Sequence, residues 1–151
     1  MVTTVDGSES GSGAPEASAL PDLLVAAIAL VRDRRVLMVT AREREVHYMP
    51  GGKIDPGETA AEAAAREARE EVSLELDPVE LDELFEVVTQ AHGEPDGRMV
   101  RMRVFLTRTD ASPRASAEVG ALHWVTTAEL DRCPPAGAEV LRRLAASGLI
   151  D

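Results

Sequence analysis

The chain has a single cysteine, Cys133, among 151 residues, so no disulfide within the chain and no cysteine-based zinc site can form. That usage points to a reducing compartment and a cytoplasmic location. Basic charge is scarce as well: 16 Lys and Arg stand against 27 Asp and Glu, a formal net charge of −11. This balance excludes an electrostatic grip on long nucleic acid or on an anionic membrane. A small anionic ligand is still admitted where a metal or a local basic cluster neutralises it. Long hydrophobic runs are missing too. The apolar run from Leu23 to Val31 has no positive flank before it and is far too short to span a bilayer, which leaves a buried strand. No internal repeat occurs at solenoid spacing.

A chain of this length fits one domain. Its first twenty residues, MVTTVDGSESGSGAPEASAL, carry no basic residue and no apolar periodicity, and are expected to form a disordered tail ahead of a domain over residues 21–151. In the domain, LLVAAIALV and RVLMVTA are separated by RDRR, the spacing of a hairpin. Pro50 and the glycines of VHYMPGG are expected to end any regular element. Thr59 with Glu62 forms a capping box before an alanine-rich run to Val72, so a helix starts at Thr59. On its wheel Ala61, Ala64, Ala68 and Val72 form an apolar stripe, and Glu67, Glu70 and Glu71 share a second face. VELDELFEVVTQA reads as a strand with an irregular start, GEPDG as a turn, and MVRMRVFLT as a half-buried strand with Val100, Met102, Val104 and Leu106 on one face. ALHWVT adds a strand, Thr127 to Arg132 a short helix, and Ala136 to Ala146 an amphipathic helix with its leucines and Val140 inward. The order β-β-β-α-β-β-β-α implies an α/β fold, a mixed sheet with helices on its faces.

Like charges at helical neighbour spacing repel, so Glu67, Glu70 and Glu71 call for something positive among them. Hard divalent cations such as Mg2+ take oxygen ligands and keep part of their shell for water and substrate phosphate. Glu67, Glu70 and Glu71 supply such a ligand face. The glycine turn before the helix brings backbone close to the same cleft, and Lys53 adds a point charge. An acidic helix face alone is ordinarily solvated surface; the preceding turn and the other charges in register are what favour ligation.

Those residues follow a pattern: glycine, five residues, glutamate, seven residues, Arg-Glu, an aliphatic, any residue, Glu-Glu, any residue, glycine, an aliphatic. Gly52, Glu58, Arg66, Glu67, Glu70, Glu71 and Leu74 fall on it, so the chain resembles the Nudix hydrolases. Ala68 is a small version of the usual aliphatic, and Ser73 replaces the helix-ending glycine; if the turn is kept, Ser73 sits near the left-handed region. The resemblance extends over most of residues 22–150 and implies an α/β/α sandwich. It further implies a Mg2+-dependent pyrophosphohydrolase, with Mn2+ as a substitute, that cleaves a phosphoanhydride bond in a nucleoside diphosphate linked to another moiety.

By the same resemblance the catalytic set is Glu67, Arg66 and Glu70, with Glu67 the first candidate for general base. The metal ligands are Glu67, Glu70, Glu71 and the Gly51 carbonyl. Arg66 and Glu58 act as braces, since an arginine fork holds carboxylates in place. Substrate contacts are assigned to Gly51, Gly52, Lys53, Tyr48 and Arg42. Lys53 is equally readable as exposed surface, and Arg42 and Arg44 as solvated charges. The chain has one Trp, one Tyr and two Phe. Tyr48 and Trp124 could stack on a base, but both lie in strands beside apolar residues, and core packing is the expected place for each. His47, His92 and His123 show no ligand spacing and are expected to be structural or exposed, although His92, beside the GEPDG turn, could line the cleft. Glu94, Asp96 and Glu118 are candidates for a further carboxylate from outside the box.

The partner implied is a nucleotide-type small molecule, first a short or oxidised nucleoside triphosphate and second a sugar nucleotide such as ADP-ribose. No long nucleic acid or membrane partner is expected, and a homodimer is compatible with the sequence. Specificity is expected from residues 42–48, 90–98 and 132–136. Rival readings are a catalytically silent nucleotide sensor and an interaction protein whose acidic helix is incidental.

Overall fold

The computed structural model of the protein describes residues 20–151, so the expected N-terminal tail, but for its last residue Leu20, lies outside the described residues. Strands β1 (Leu23–Arg32) and β2 (Arg35–Ala41) form the hairpin that RDRR predicts. Asp33 and Arg34 both take positive φ, 52° and 60°, the geometry that lets a two-residue turn follow the twist of its strands. Then follow β3 (Gly51–Lys53), helix α1 (Ala60–Val72), a 3-10 turn at Pro78–Glu80, β4 (Asp82–Gln90), β5 (Met99–Thr107) and β6 (Val119–Val125). A 3-10 segment at Thr127–Arg132 leads into helix α2 (Pro135–Ala146).

The strands lie in the order β4-β5-β1-β2-β6, with β3 also paired to β1. The sheet is mixed. β1 runs parallel to β5 from Leu23 to Leu30, while β4–β5, β2–β6 and β1–β3 are antiparallel. Helix α1 covers one face, where Ala63, Ala64, Ala68 and Val72 meet Ile28, Leu30 and Phe105. Helix α2 covers the other, where Val140, Leu141 and Leu144 meet Ala27, Val36, Val87 and Val104. This is the expected α/β/α sandwich. The buried stripe of α1 is Ala60, Ala63, Ala64, Ala65, Ala68 and Val72, whereas Ala61 is only half-buried. So many alanines let the helix approach the sheet closely.

β1 and β2 pair only at the hairpin end, through Val31–Val36 and Arg32–Arg35, and then part. The segment at Tyr48–Pro50 bridges the gap: Tyr48 exchanges backbone hydrogen bonds with Val39 at 2.8 and 2.9 Å, and Ile28 N–H donates to the Pro50 carbonyl at 2.9 Å. Gly51 and Gly52 were expected to end regular structure, but they form β3 against Ala26 and Ala27. Gly51, lacking a Cβ, passes closer to β1 than a residue with a side chain could.

Two ring placements differ from expectation. Tyr48 is 39% exposed and Trp124 37% exposed, so neither is core. β6 is an edge strand, and Trp124 lies on it with the Arg32 guanidinium 5.7 Å from its ring centroid. Tyr48 faces the opening between β1 and β2. Neither position could be told from apolar neighbours alone, because alternation marks a face and not what covers it.

Candidate active site

Two adjacent glycines are needed for different reasons. A Cβ at Gly51 would stand 2.3 Å from the Ala26 carbonyl oxygen and 2.7 Å from Ala27 Cα, so backbone approach requires the first. A Cβ at Gly52 would stand 2.5 Å from the Glu67 carboxyl, so a side chain of the helix requires the second. The helix begins as its capping box predicts. Thr59 Oγ1 accepts from Glu62 N–H at 3.1 Å, and Glu62 Oε1 accepts from Thr59 N–H at 2.8 Å.

Arg66 sits among the carboxylates. Its Nε and Nη2 donate to Glu58 Oε2 and Oε1 at 2.7 and 3.0 Å, and its Nη1 donates to Glu67 Oε2 at 2.9 Å and Glu70 Oε1 at 3.1 Å. Nη2 also donates to the Lys53 carbonyl at 3.0 Å, tying the helix to the end of β3. One planar fork thus fixes three carboxylates and a strand. The Arg66 hydrogen bonds, with the Asp55 N–H, hold the Glu58 carboxyl below its usual range.

Glu71 is not among the carboxylates that pair with Arg66. Its Oε1 accepts the Gly51 N–H at 3.2 Å. Burial pushes its carboxyl up to about 8, and the neighbouring Glu67 and Glu70 carboxylates add to the rise against the pull of that N–H. A half-buried acid among like charges settles by holding a proton or by sharing a cation. All the donors are hard oxygens, so the set fits a divalent cation of the Mg2+ or Mn2+ kind. Among the described residues no three His, Cys, Asp or Glu side chains converge closely enough to hold an ion as they stand. Glu70, half-exposed, is turned to Arg66.

The end of α1 is anchored. Ser73 takes φ 61° and ψ 33°, the left-handed cap expected where the pattern has glycine, and Leu74 N–H donates to the Ala68 carbonyl at 3.3 Å. The loop after β5 supplies further donors: Ser116 N–H to the Glu71 carbonyl at 3.0 Å and Arg114 N–H to the Val72 carbonyl at 2.9 Å.

Glu71 and Gly51 stand at the edge of a cavity of about 340 Å³ where β1 and β2 part. Tyr48, then Gln90, Ala91 and His92, then Pro134 and Ala136 line it, so each of the three stretches expected to carry specificity contributes. His92 is exposed at its mouth, as expected. The other histidines pack together with ring centroids 4.4 Å apart, His47 being buried. Arg42, Gly52 and Lys53 are not among the lining residues; Arg42 and Lys53 are exposed, and Gly52 faces Glu67. Glu94, Asp96 and Glu118 also lie outside it, and Glu94 is paired with Arg98 at 2.9 Å. Val100 and Met102 share the strand face that the alternation predicts, and both line the cavity. Nothing in the strand's own pattern signals that β2 has departed opposite them.

The sequence profile of the NUDIX domain matches residues 22–144. The chain belongs to the Nudix hydrolase family. Over 61 residues it is 41% identical to the 8-oxo-dGDP phosphatase NUDT18 of Mus musculus; that match takes in 38% of this Nudix chain and 19% of the length of NUDT18. Among solved structures, the MutT protein of Methanosarcina mazei Go1 superposes with a TM-score of 0.70 at 21% identity, over 86% of this chain and 97% of that one. A bifunctional NMN adenylyltransferase/ADP ribose pyrophosphatase of Francisella tularensis, solved with AMP and a Mn ion, gives a TM-score of 0.63 at 18% identity, over 84% of this chain and 42% of that one. At such identities the superpositions establish the Nudix fold.

Proposed function

We propose that this Nudix chain is a pyrophosphohydrolase that requires Mg2+, with Mn2+ as a substitute, and cleaves a phosphoanhydride bond of a nucleoside triphosphate, oxidised forms included. Sugar nucleotides such as ADP-ribose are the second substrate class. The observation that carries this reading is the meeting of Glu71 and Gly51 at the edge of the cavity, with Arg66 bracing Glu67 and Glu70 behind them. Glu67, Glu70, Glu71 and the Gly51 carbonyl would hold the cation. When bound, it would neutralise phosphoryl oxygens and stabilise the charge that develops on them.

The chain's own groups do the rest. A water oxygen forms the new P–O bond, Glu67 accepts the water proton, and the bridging P–O bond breaks with its electron pair leaving on the departing phosphate. Arg66 keeps the Glu67 carboxylate oriented, and through Glu58 and the Lys53 carbonyl it fixes the helix against β3. The relative NUDT18, an 8-oxo-dGDP phosphatase, supports a nucleotide substrate, and the Mn ion of the Francisella tularensis structure supports a divalent cation. A panel of nucleoside triphosphates, diphosphates and sugar nucleotides, with the nucleotide products separated by chromatography across a Mg2+ titration, tests the reading. Metal-dependent turnover of at least one nucleotide is expected. No turnover, together with no divalent-cation uptake by calorimetry, would favour instead an interaction protein whose acidic helix is incidental.

A further inference from the structure

The walls of the cavity are apolar. Val25, Val39, Met49, Val100, Met102 and Ala136 all line it. Of the lining residues, those with polar side chains are Tyr48, Glu71, Gln90 and His92. Gln90 is spent on its own turn: its Oε1 accepts the Gly97 N–H at 2.8 Å and its Nε2 donates to the Pro95 carbonyl at 2.9 Å. Glu71 is committed to the Gly51 N–H. Tyr48 and His92 meet edge to face at the mouth, centroids 6.1 Å apart and planes at 69°, where they offer ring surface.

A base entering this cavity therefore meets carbon on its faces, and the lining side chains free to meet its hydrogen-bonding edge are the Tyr48 hydroxyl and the His92 imidazole, each of which can donate or accept at a single point and so does not single out one base. From this we infer that the enzyme selects nucleotides by the apolar surface and shape of the base rather than by its edge, so that it accepts purine and pyrimidine nucleotides alike and favours base-methylated ones over their unmodified parents. The inference rests on the reading of this cavity as the base site of the proposed nucleotide hydrolase.

The physical contrast is large. A site that hydrogen-bonds a substrate group rejects an analogue lacking it by about 10⁴-fold or more, whereas an apolar pocket separates close analogues by about 10- to 200-fold. Each methyl group taken out of water contributes about 0.8 kcal/mol, or about fourfold in kcat/KM. For the same reason, oxidation of guanine at C8 adds a polar group that these walls cannot pair, so 8-oxo-dGTP should gain no advantage over dGTP.

The test is kcat/KM of the full chain with Mg2+ for ATP, GTP, CTP, UTP, dGTP, 8-oxo-dGTP, N6-methyl-ATP and 5-methyl-CTP. Affinities for the matching monophosphates are measured by calorimetry. The expected result is a spread within about 200-fold across bases, and methylated forms better than their parents by up to about fourfold. Met102→Gln should cancel the methyl preference while the thermal melt stays cooperative. A preference for any one base, 8-oxoguanine included, beyond about a thousandfold would overturn the inference and leave the hydrolase reading standing. So would a loss on methylation, or a methyl preference untouched by Met102→Gln. Absence of both turnover and binding for every nucleotide would overturn the two together.

Discussion

The Gly51 N–H donates to Glu71 Oε1 across 3.2 Å, joining the glycine strand to the last turn of the acidic helix at the edge of the cavity. The bond is too little to offset the burial of Glu71 beside Glu67 and Glu70, and its carboxyl is pushed up from 4.5 to about 8. Between those values the folded chain holds a proton that the unfolded chain has released. Metal-free stability contributed by this group is therefore full below about pH 4.5 and is lost as pH rises through about 8. Thermal melts in chelator should show Tm falling over that window. Glu71→Gln should flatten the decline and raise Tm at the alkaline end while weakening Mg2+ uptake and kcat. A decline of unchanged steepness in the variant would place its origin elsewhere.

Glu70 has a different environment. It is half-exposed and shares Arg66 Nη1 with Glu67. Glu70→Gln gives up an i,i+4 pair of about 0.3–0.5 kcal/mol and relieves repulsion of similar size, so metal-free Tm should hardly move. Activity at limiting Mg2+ should fall, because one negative charge leaves the proposed cation shell. Wild-type turnover under those conditions would remove Glu70 from the metal site.

Arg66→Lys keeps a positive charge but cannot form the two-point contact to Glu58 while also reaching Glu67 and Glu70. We expect kcat to drop with little change in KM, and stability to fall by about 1–2 kcal/mol as charged hydrogen bonds are lost. Chemical denaturation measures the second effect and steady-state kinetics the first. A rise in KM alone would mean that Arg66 contacts substrate directly.

The glycine pair should separate fold from chemistry. Gly51→Ala forces a methyl group into backbone, 2.3 Å from the Ala26 oxygen, and should lower Tm sharply. Gly52→Ala meets the movable Glu67 carboxyl at 2.5 Å, so the fold should survive while kcat collapses. Circular-dichroism melts and turnover on both variants distinguish these outcomes; equal loss of Tm in the two would show that Glu67 cannot yield.

Ser73 holds a left-handed backbone, φ 61°, at a steric cost that glycine avoids. Ser73→Gly should stabilise the protein by up to about 1 kcal/mol, read as a shift in denaturation midpoint at constant slope. Destabilisation would indicate that the Ser73 side chain holds the cap.

The sequence by itself determined the elements other than β3, because their causes are local. Thr59 and Glu62 cap the helix reciprocally, Asp33-Arg34 spans the two residues a hairpin turn needs, and the alternation through Val100, Met102 and Val104 marks a strand face. It also determined the order of acids and base along α1, since helical geometry puts Arg66 within reach of Glu70 four residues on. Tertiary structure decided which neighbours those residues meet. β1 pairs with β5 along its length and with β2 only at the hairpin, and that divergence turned an inward apolar face into a cavity. Gly51 reads as a turn until Ala26 lies beside it, and Tyr48 reads as core until the gap beside it is seen. Glu71 becomes unlike Glu70 only where the sheet and the β5–β6 loop close around it. Burial, close approach and like-charge crowding depend on segments far apart in the chain, and no local pattern encodes the distance between them.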